Sequence, residues 1–484
     1  MRDHRTIQGR WWAQGDDQPS HPGTLTFEPE QRLILRVRIP RDPSRGLLAS
    51  WLDFDAPALA VQPVIHGEDH NGKAITLFGC TRDSRSSTAK CTTIEIAGLA
   101  ALVNSKRSSW ADECFRAVEV EYSLLHNWID QRFIPAREAP DGNASFLLPA
   151  DMLIDLPPGT GLRITTGLPS KTSINKQGLQ FNPRVFFHFP TPLNIEKVLS
   201  EHTGVFQNLL CLLTGRTVFY DRISLYETDP FEGERPTPPP SADFIRCCTG
   251  VTTAEREMPG SMMLSNYAEL AGHLPGIVQK WFELHEPLEP VVGLFMLVRS
   301  QRVRIMQTRF LLLAQALEVY HGRSPQFTPS EVNRPEHRAR VRKLLRCVPD
   351  EDRVWLKKKL AYSNQKTLAV RIAEVLAAHP EEASRLTAGI PGFAEKVKNT
   401  RNYYTHYGQE ALEKGKVAQG RELVQISLAL EGLIGACLLK GIGLQGKPLE
   451  RLLSRYASAE LIDLDGAYGI GPSAPDRPLK TGEA

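Results

Sequence analysis

The N-terminal part of the chain alternates hydrophobic and polar residues over short segments, which is the pattern of β-strands with one buried face. Residues 33–39 (Leu-Ile-Leu-Arg-Val-Arg-Ile) show it most clearly over their second half. Strand-like runs follow at 74–80, 92–96, 118–122 and 163–166. The polar residues 83–87 (Asp-Ser-Arg-Ser-Ser) predict a turn. Short strands separated by turn residues predict a β-rich, sandwich-like domain over residues 1–192.

The pattern changes near Leu193. Residues 193–213 have helical spacing, and residues 217–226 predict a strand or a hairpin. The proline-rich segment 235–241 then predicts a surface loop or linker. We therefore interpret residues 193–290 as a connecting region.

The second half of the chain is helical in pattern and predicts an all-α bundle over residues 291–445. Residues 291–321 predict one long helix that ends at Gly322. Residues 415–440 predict another helix, with apolar residues on one side at Leu423, Ile426, Leu430, Leu433, Ile434 and Cys437. Residues 446–484 form a C-terminal extension, whose last part from Gly466 predicts a disordered tail. The predicted fold class is α+β with several domains.

Positive charge is concentrated in the helical half, although the whole chain has a formal net charge of only +3. Residues 299–371 contain 17 Lys/Arg against 6 Asp/Glu. A helix starting at Pro335 would place Arg338, Arg342 and Arg346 on one face. Its other face would carry the apolar residues Val341, Leu344, Leu345 and Val348. This distribution predicts contact with a polyanion, and a solvated basic face is the alternative.

The chain carries no signal for export, for a membrane or for a cofactor. Its eight cysteines form no CxxC pair, and the charged N-terminus leads into no apolar segment. Apolar runs such as 291–298 are too short to cross a bilayer. The glycine-rich segment 441–447 lacks the Ser or Thr of a phosphate loop, and His66 and His70 fit a polar loop better than a metal site. We expect a cytoplasmic protein with free thiols, no membrane contact, no metal and no cofactor.

Residues 391–408 predict a helix that carries the main candidate catalytic residues. Its core face is a stripe at Phe393, Val397, Thr400, Tyr404 and Tyr407. Asn402 and His406 lie one turn apart on the opposite face, and Arg401 lies between the two faces. A histidine that points away from its own helix's core must face solvent, a ligand or another subunit.

These three residue types suit the cleavage of RNA. RNA supplies its own nucleophile, the 2′-hydroxyl, so a protein must add a base, an acid and positive charge near the phosphate. Histidine titrates near neutrality, and arginine binds phosphate through two parallel hydrogen bonds. Because one helix supplies one histidine, acid and base together predict two copies of the helix that meet in a homodimer or a higher homo-oligomer.

The motif resembles that of the HEPN superfamily, in which an arginine and a polar residue are followed by a histidine. Residues 399–407 (Asn-Thr-Arg-Asn-Tyr-Tyr-Thr-His-Tyr) resemble the motif helix of the ApeA-type HEPN proteins of bacterial anti-phage defence. Residues 309–321 resemble an earlier helix of that family, and residues 9–12, 23–27 and 75–80 resemble its N-terminal domain.

The resemblance implies a metal-independent endoribonuclease that acts in abortive infection on host or phage RNA, with tRNA among its expected targets. The N-terminal domain would sense a phage-derived trigger or restrain the nuclease. In this interpretation His406 is the acid or base, Arg401 binds the scissile phosphate and Asn402 positions them. Lys398, Arg338, Arg342 and Arg346 would bind substrate, and Glu318 and Tyr404 would support the site.

Two alternatives stay open at this point. The helical half could be a HEPN module that binds RNA or a nucleotide without cutting it. The protein could also be a sensor of carbohydrate or protein ligands whose helices serve only for oligomerisation.

Overall fold

A computed structural model describes most of the chain, namely residues 5–15, 21–27, 33–40, 64–87, 91–129, 151–165, 174–175, 178–179, 183–232, 239–246, 258–300 and 303–457. Two of the predictions fall wholly or partly outside these ranges. The disordered tail from Gly466 lies outside the described residues, as does most of the proline-rich segment 235–241. The chain divides into two compact units, Met1–Phe282 and Glu283–Ala484.

The N-terminal unit is built on antiparallel β-structure. Its strands are β1 (Arg5–Ala13), β2 (His21–Phe27), β3 (Leu33–Pro40), β4 (Ile65–Asp69), β5 (Ala74–Phe78), β6 (Thr81–Ser87), β7 (Cys91–Gly98), β8 (Ala100–Val103), β9 (Phe115–Tyr122), β10 (Met152–Leu156), β11 (Thr160–Thr165), β12 (Ile174–Asn175), β13 (Gly178–Leu179), β14 (Arg184–Leu193), β15 (Tyr220–Tyr226) and β16 (Ser241–Arg246). Fourteen of the described strands form one sheet in the order β10-β11-β14-β9-β15-β16-β8-β5-β4-β1-β2-β3-β7-β6, and β12 pairs with β13. Neighbouring strands pair antiparallel, as hairpin-connected strands do.

Alternating residues of these strands form the core that the sequence pattern predicts. Leu33, Leu35, Val37 and Ile39 of β3 are all buried, and the residues between them are more exposed. Trp11 of β1 is fully buried against β4, where a Cβ at Gly67 would lie 2.4 Å from the indole ring. The β-rich N-terminal part is therefore confirmed.

The polar segment 83–87 is not a turn, and that prediction is wrong. It forms most of β6, which among the described strands is at the edge of the sheet and pairs with β7 alone. An edge strand leaves one side of its backbone unpaired and tolerates polar side chains, so the segment loses the alternation of a buried strand. Ser84 donates a hydrogen bond of 2.9 Å to Glu95 of β7.

The sheet does not end near residue 192. β15 pairs with β9 and β16, and β16 pairs with β8, so residues 220–246 supply two central strands. Residues 193–282 thus lie within the N-terminal unit, where the sequence suggested a separate connecting region. The helices of this unit are α1 (Leu125–Ile129), α2 (Ile195–Lys197), α3 (Gly204–Thr214) and α4 (Tyr267–Leu270), with a π-helical stretch Val198–Thr203 between α2 and α3.

The C-terminal unit is helical in its described residues. Its helices are α5 (Leu274–Arg299, which begins in the N-terminal unit), α6 (Met306–Arg323), α7 (Arg334–Arg346), α8 (Asp350–Lys359), α9 (Leu368–Ala378), α10 (Pro380–Leu386), α11 (Phe393–His406), α12 (Gln409–Glu413), α13 (Gly420–Gly441) and α14 (Lys447–Ala457). This confirms the predicted helical class of the second half.

Helix α13 is the centre of this unit. All six apolar positions predicted for residues 415–440 are at most 2% exposed. Among the described helices, α13 alone is long and apolar enough to cross a membrane, but 83% of its most apolar window is buried inside the protein. A buried core helix meets the same criterion, so this finding is weak evidence for a membrane.

A buried ionic cluster fastens α13 to three other helices. The Glu431 carboxylate lies 3.5 Å from Arg299 and 3.4 Å from Arg309, and it accepts a hydrogen bond of 2.7 Å from the Tyr456 hydroxyl. Burial, and then the neighbouring carboxylate, raise the pKa of Tyr456. Because the charges are buried together, each depends on the others for compensation.

The predicted single helix over residues 291–321 is wrong, since the structure has two helices there. Helix α5 ends at Arg299, and α6 begins at Met306. The Val298 carbonyl near the end of α5 accepts a hydrogen bond of 3.1 Å from Arg309 of α6. This contact satisfies one of the carbonyls at the end of a helix that have no partner within the helix.

Candidate functional site

The motif helix α11 is shorter than predicted. It begins at Phe393, after Gly392 in a left-handed conformation (φ 64°), so Pro391 lies outside it. It ends at His406, because Tyr407 is itself left-handed (φ 52°). A non-glycine residue rarely adopts this conformation, and its backbone N–H closes the last turn on the Tyr403 carbonyl. His406 is therefore the last helical residue and lies at the C-terminal end of α11, exposed to solvent.

The predicted core face is buried over most of its length. Phe393, Val397 and Thr400 are at most 4% exposed, and the Thr400 hydroxyl accepts a hydrogen bond of 2.9 Å from the Ala418 backbone N–H. Tyr404 is half-buried and donates a hydrogen bond of 3.4 Å to the Ala418 carbonyl. Tyr407 is 66% exposed because the chain leaves the helix before it, so the predicted stripe ends one residue early.

Asn402 and His406 lie on the exposed side, where the helical geometry predicted them. The Asn402 side-chain oxygen accepts a hydrogen bond of 3.3 Å from Arg401. This contact holds the amide and the guanidinium side by side. The His406 imidazole is open to solvent at the end of α11.

Arg401 is held by a carboxylate from another helix. Its guanidinium lies 3.7 Å from Glu318 of α6 and remains 40% exposed. The same carboxylate lies 3.9 Å from Arg371 of α9. Two arginines thus share one carboxylate, which leaves a net positive charge at this end of α11.

Arg371 is the residue of this cluster that the sequence interpretation missed. It is separated from the motif by 30 positions, so no helical spacing connects them. Its backbone partner, the Lys366 carbonyl at 3.0 Å, orients its guanidinium.

Three tyrosines surround the motif. The rings of Tyr403, Tyr404 and Tyr407 lie with their centroids 5.1–6.5 Å apart. Tyr404 also packs against Phe310 of α6 at 6.4 Å, and burial followed by its tyrosine neighbours raises its pKa. These contacts pack Tyr404 of α11 against α6. A supporting role for Tyr404 in the site stays a prediction.

The predicted substrate-binding residues are more dispersed. Lys398 forms an ion pair with Glu395 one turn earlier in α11. Arg338, Arg342 and Arg346 are exposed on α7, and within the described residues no hydrogen bond or ion pair joins α7 to α11. The apolar face predicted for this helix is also not buried: Leu344 is 44% exposed, and α7 contains no buried residue.

If the motif cleaves RNA, as the sequence pattern predicts, we expect Glu318→Gln to lower the efficiency of cleavage by roughly two- to five-fold, because a partly exposed ion pair of this kind contributes about 1 kcal/mol or less. The amide would keep the shape of the side chain but release Arg401 from the charge that positions it. The measurement is kcat/KM on an RNA substrate together with an unfolding curve. The control is Glu395→Gln, an exposed acid on α11 whose partner is Lys398. Equal effects of the two variants would contradict a positioning role for Glu318.

Comparison with known families identifies the family of both halves of the chain. A family model described as ApeA N-terminal domain 1 matches residues 6–281, and a model described as Apea-like HEPN matches residues 311–447. No curated protein and no solved structure matches the chain. The two models confirm the resemblance that the sequence motif indicated. HEPN domains are typically ribonucleases, and they generally dimerise.

Proposed function

Because this chain belongs to the ApeA family of HEPN proteins, we propose that it is a metal-independent endoribonuclease of anti-phage defence. Its site is formed by Arg401, Asn402 and His406 and is completed when two copies meet. The observation that carries the proposal is the exposed end of α11. A histidine, an amide and an arginine are presented there together, and Glu318 holds the arginine at 3.7 Å.

The chemistry follows from these groups. An imidazole of one copy takes the proton of the RNA 2′-hydroxyl, and the 2′-oxygen forms a bond to the adjacent phosphorus. The bond from phosphorus to the 5′-oxygen breaks, and the imidazolium of the second copy gives that oxygen a proton. The products are a 2′,3′-cyclic phosphate and a 5′-hydroxyl. No metal is needed to create the nucleophile, since the substrate carries it.

Each further residue has a defined place in this proposal. Arg401 binds the phosphate oxygens, whose negative charge grows as the new bond forms. Asn402, in contact with Arg401, orients the group at the phosphate. Lys398 and the arginines of α7 contact the RNA backbone outside the reacting bond.

The biological setting is part of the same proposal. The nuclease would act in the cytoplasm on host or phage RNA, including tRNA, and would stop growth of the infected cell. The N-terminal sheet domain would receive a phage-derived trigger and release the nuclease.

The test is RNA cleavage by the purified full-length protein in excess EDTA. The proposal predicts cleavage, with cyclic phosphate at one new end and hydroxyl at the other, identified by end-specific enzymes and sequencing. Cleavage only after a divalent metal is restored would contradict the metal-independent mechanism. RNA binding without products in all conditions would favour the non-catalytic module.

A further inference from the structure

Two helices of the C-terminal unit form a projecting hairpin, which we call the arm and define as residues 330–366. Its two ends are joined at the neck, where Ser330 pairs with Gln365. Asn364 accepts a hydrogen bond of 3.1 Å from the Val332 N–H and donates one of 2.9 Å to the Val332 carbonyl. Lys366 closes the neck with an ion pair of 2.6 Å to Glu374 of α9. These contacts hold the two ends of the arm together and attach them to α9.

The helices of the arm, α7 and α8, contain no buried residue. Several large apolar side chains of the arm face solvent, and Trp355 at 60% and Tyr362 at 74% exposed are the largest. A folded protein rarely leaves neighbouring large aromatic side chains in water without a binding role. The arm therefore presents a surface for an occupant.

The two aromatic residues lie on the same side of the arm as two cations. Trp355 lies in α8, and Tyr362 is the last residue of the 3-10 turn Leu360–Tyr362 that follows α8 directly. Four α-helical steps of about 100° and three 3-10 steps of about 120° bring Tyr362 back to the side of Trp355. Lys358 and Lys359, at three and four residues after Trp355, lie between them on that side, and both are exposed. This side of the arm therefore carries an aromatic residue, two lysines and a second aromatic residue in that order along the chain.

Charge decides between the possible occupants. Residues 334–362 contain ten Lys/Arg and four Asp/Glu. Three of the four acids lie in the first turn of α8, at Asp350, Glu351 and Asp352, and not between the aromatic residues. A symmetric contact between two arms would place like charges against each other, which is unfavourable. A polyanion is favoured on both counts.

We propose that the arm binds unpaired RNA, with Trp355 and Tyr362 stacked on bases and the lysines between them on phosphates. Aromatic rings stack on bases whose faces are free, as in single strands and loops, whereas a duplex hides those faces. The inference rests on the proposed ribonuclease function and deepens it by naming the substrate class: RNA with an unpaired segment of a few nucleotides.

The test measures binding of the full-length protein to a labelled single-stranded RNA and to a duplex of the same sequence. All proteins carry His406→Ala so that substrate survives. Trp355→Ala is expected to weaken single-strand binding roughly five- to a hundred-fold, the range for loss of one stacked base, with little effect on the duplex. Trp355→Phe, which keeps an aromatic face, is expected to retain most of the affinity. Val354→Ala is the matched control, since Val354 is the neighbouring residue and is exposed to a similar degree (66%) but cannot stack.

Unchanged single-strand affinity in the Trp355→Ala protein would overturn the inference. If that variant instead lost its oligomeric state in sedimentation, the arm would be a contact between copies, and the inference would also fail. The result is separable from the proposed function, because binding does not require cleavage. If binding depends on Trp355 but the protein with its native His406 does not cleave RNA, only the proposed nuclease function fails. If that protein cleaves RNA but binding does not depend on Trp355, only the proposed role of the arm fails.

Discussion

Replacing His406 by alanine is expected to lower the rate of RNA cleavage by roughly 10²–10⁴-fold, the usual contribution of a positioned acid or base. In the proposed site each copy's imidazole moves one proton, so one substitution removes both the base and the acid from a dimer. The measurement is a single-turnover cleavage rate in EDTA at saturating protein. RNA affinity is expected to change little, because phosphate binding rests on arginines and lysines.

The His406→Ala protein is expected to keep its fold, because the side chain is exposed at the end of α11. Its unfolding curve should match that of the parent. His70→Ala is the matched control, since His70 is also exposed but lies in the β4–β5 turn of the N-terminal unit. Full cleavage by the His406→Ala protein would remove this histidine from the mechanism.

The second large effect concerns stability. Glu431→Ala is expected to destabilise the helical unit by about 3–5 kcal/mol, the usual result of removing one partner from a buried ionic cluster. The substitution would take the carboxylate away from Arg299 and Arg309, whose side chains are only 12% and 11% exposed, and from the Tyr456 hydroxyl. The measurement is the free energy of unfolding in urea, followed by a probe of the helical unit.

Glu450→Ala provides the comparison for Glu431. Glu450 also pairs with an arginine, Arg385 at 2.6 Å, but its side chain is 63% exposed. A pair open to water contributes about 0–1 kcal/mol, so this variant should be nearly neutral. Equal destabilisation by the two variants would contradict the importance of burial for the Glu431 cluster.

The sequence predicted those parts of the fold in which one face of an element is buried. The spacing of Leu33, Leu35 and Val37 in β3, and of the apolar residues in α13, predicts that these side chains are buried, and they are. The edge strand β6 was mistaken for a turn because its residues are polar and lack the alternating apolar positions of a strand that packs on a core. The break between α5 and α6 was missed, and the contact that accompanies it, from Arg309 to the Val298 carbonyl, is one that no local pattern encodes.

The candidate site shows the same division. Helical geometry predicted that Asn402 and His406 would face away from the core, and the structure places both on the exposed side of α11. Geometry along one helix could not show that Glu318 lies 3.7 Å from Arg401, or that Arg371 shares that carboxylate, because those contacts join separate helices. The end of α11 at His406 depends on the left-handed conformation of Tyr407, a residue type that seldom adopts it.

The central claim is that two copies of His406 act in one site. The most direct test mixes wild-type protein with His406→Ala protein, unfolds and refolds them together to exchange subunits, and measures cleavage per wild-type chain in EDTA. With a roughly nine-fold excess of the variant, only about one wild-type chain in ten pairs with another in a symmetric dimer. The account predicts that cleavage per wild-type chain falls in that proportion. Cleavage that stays constant at every mixing ratio would show that each copy works alone and would contradict the composite site.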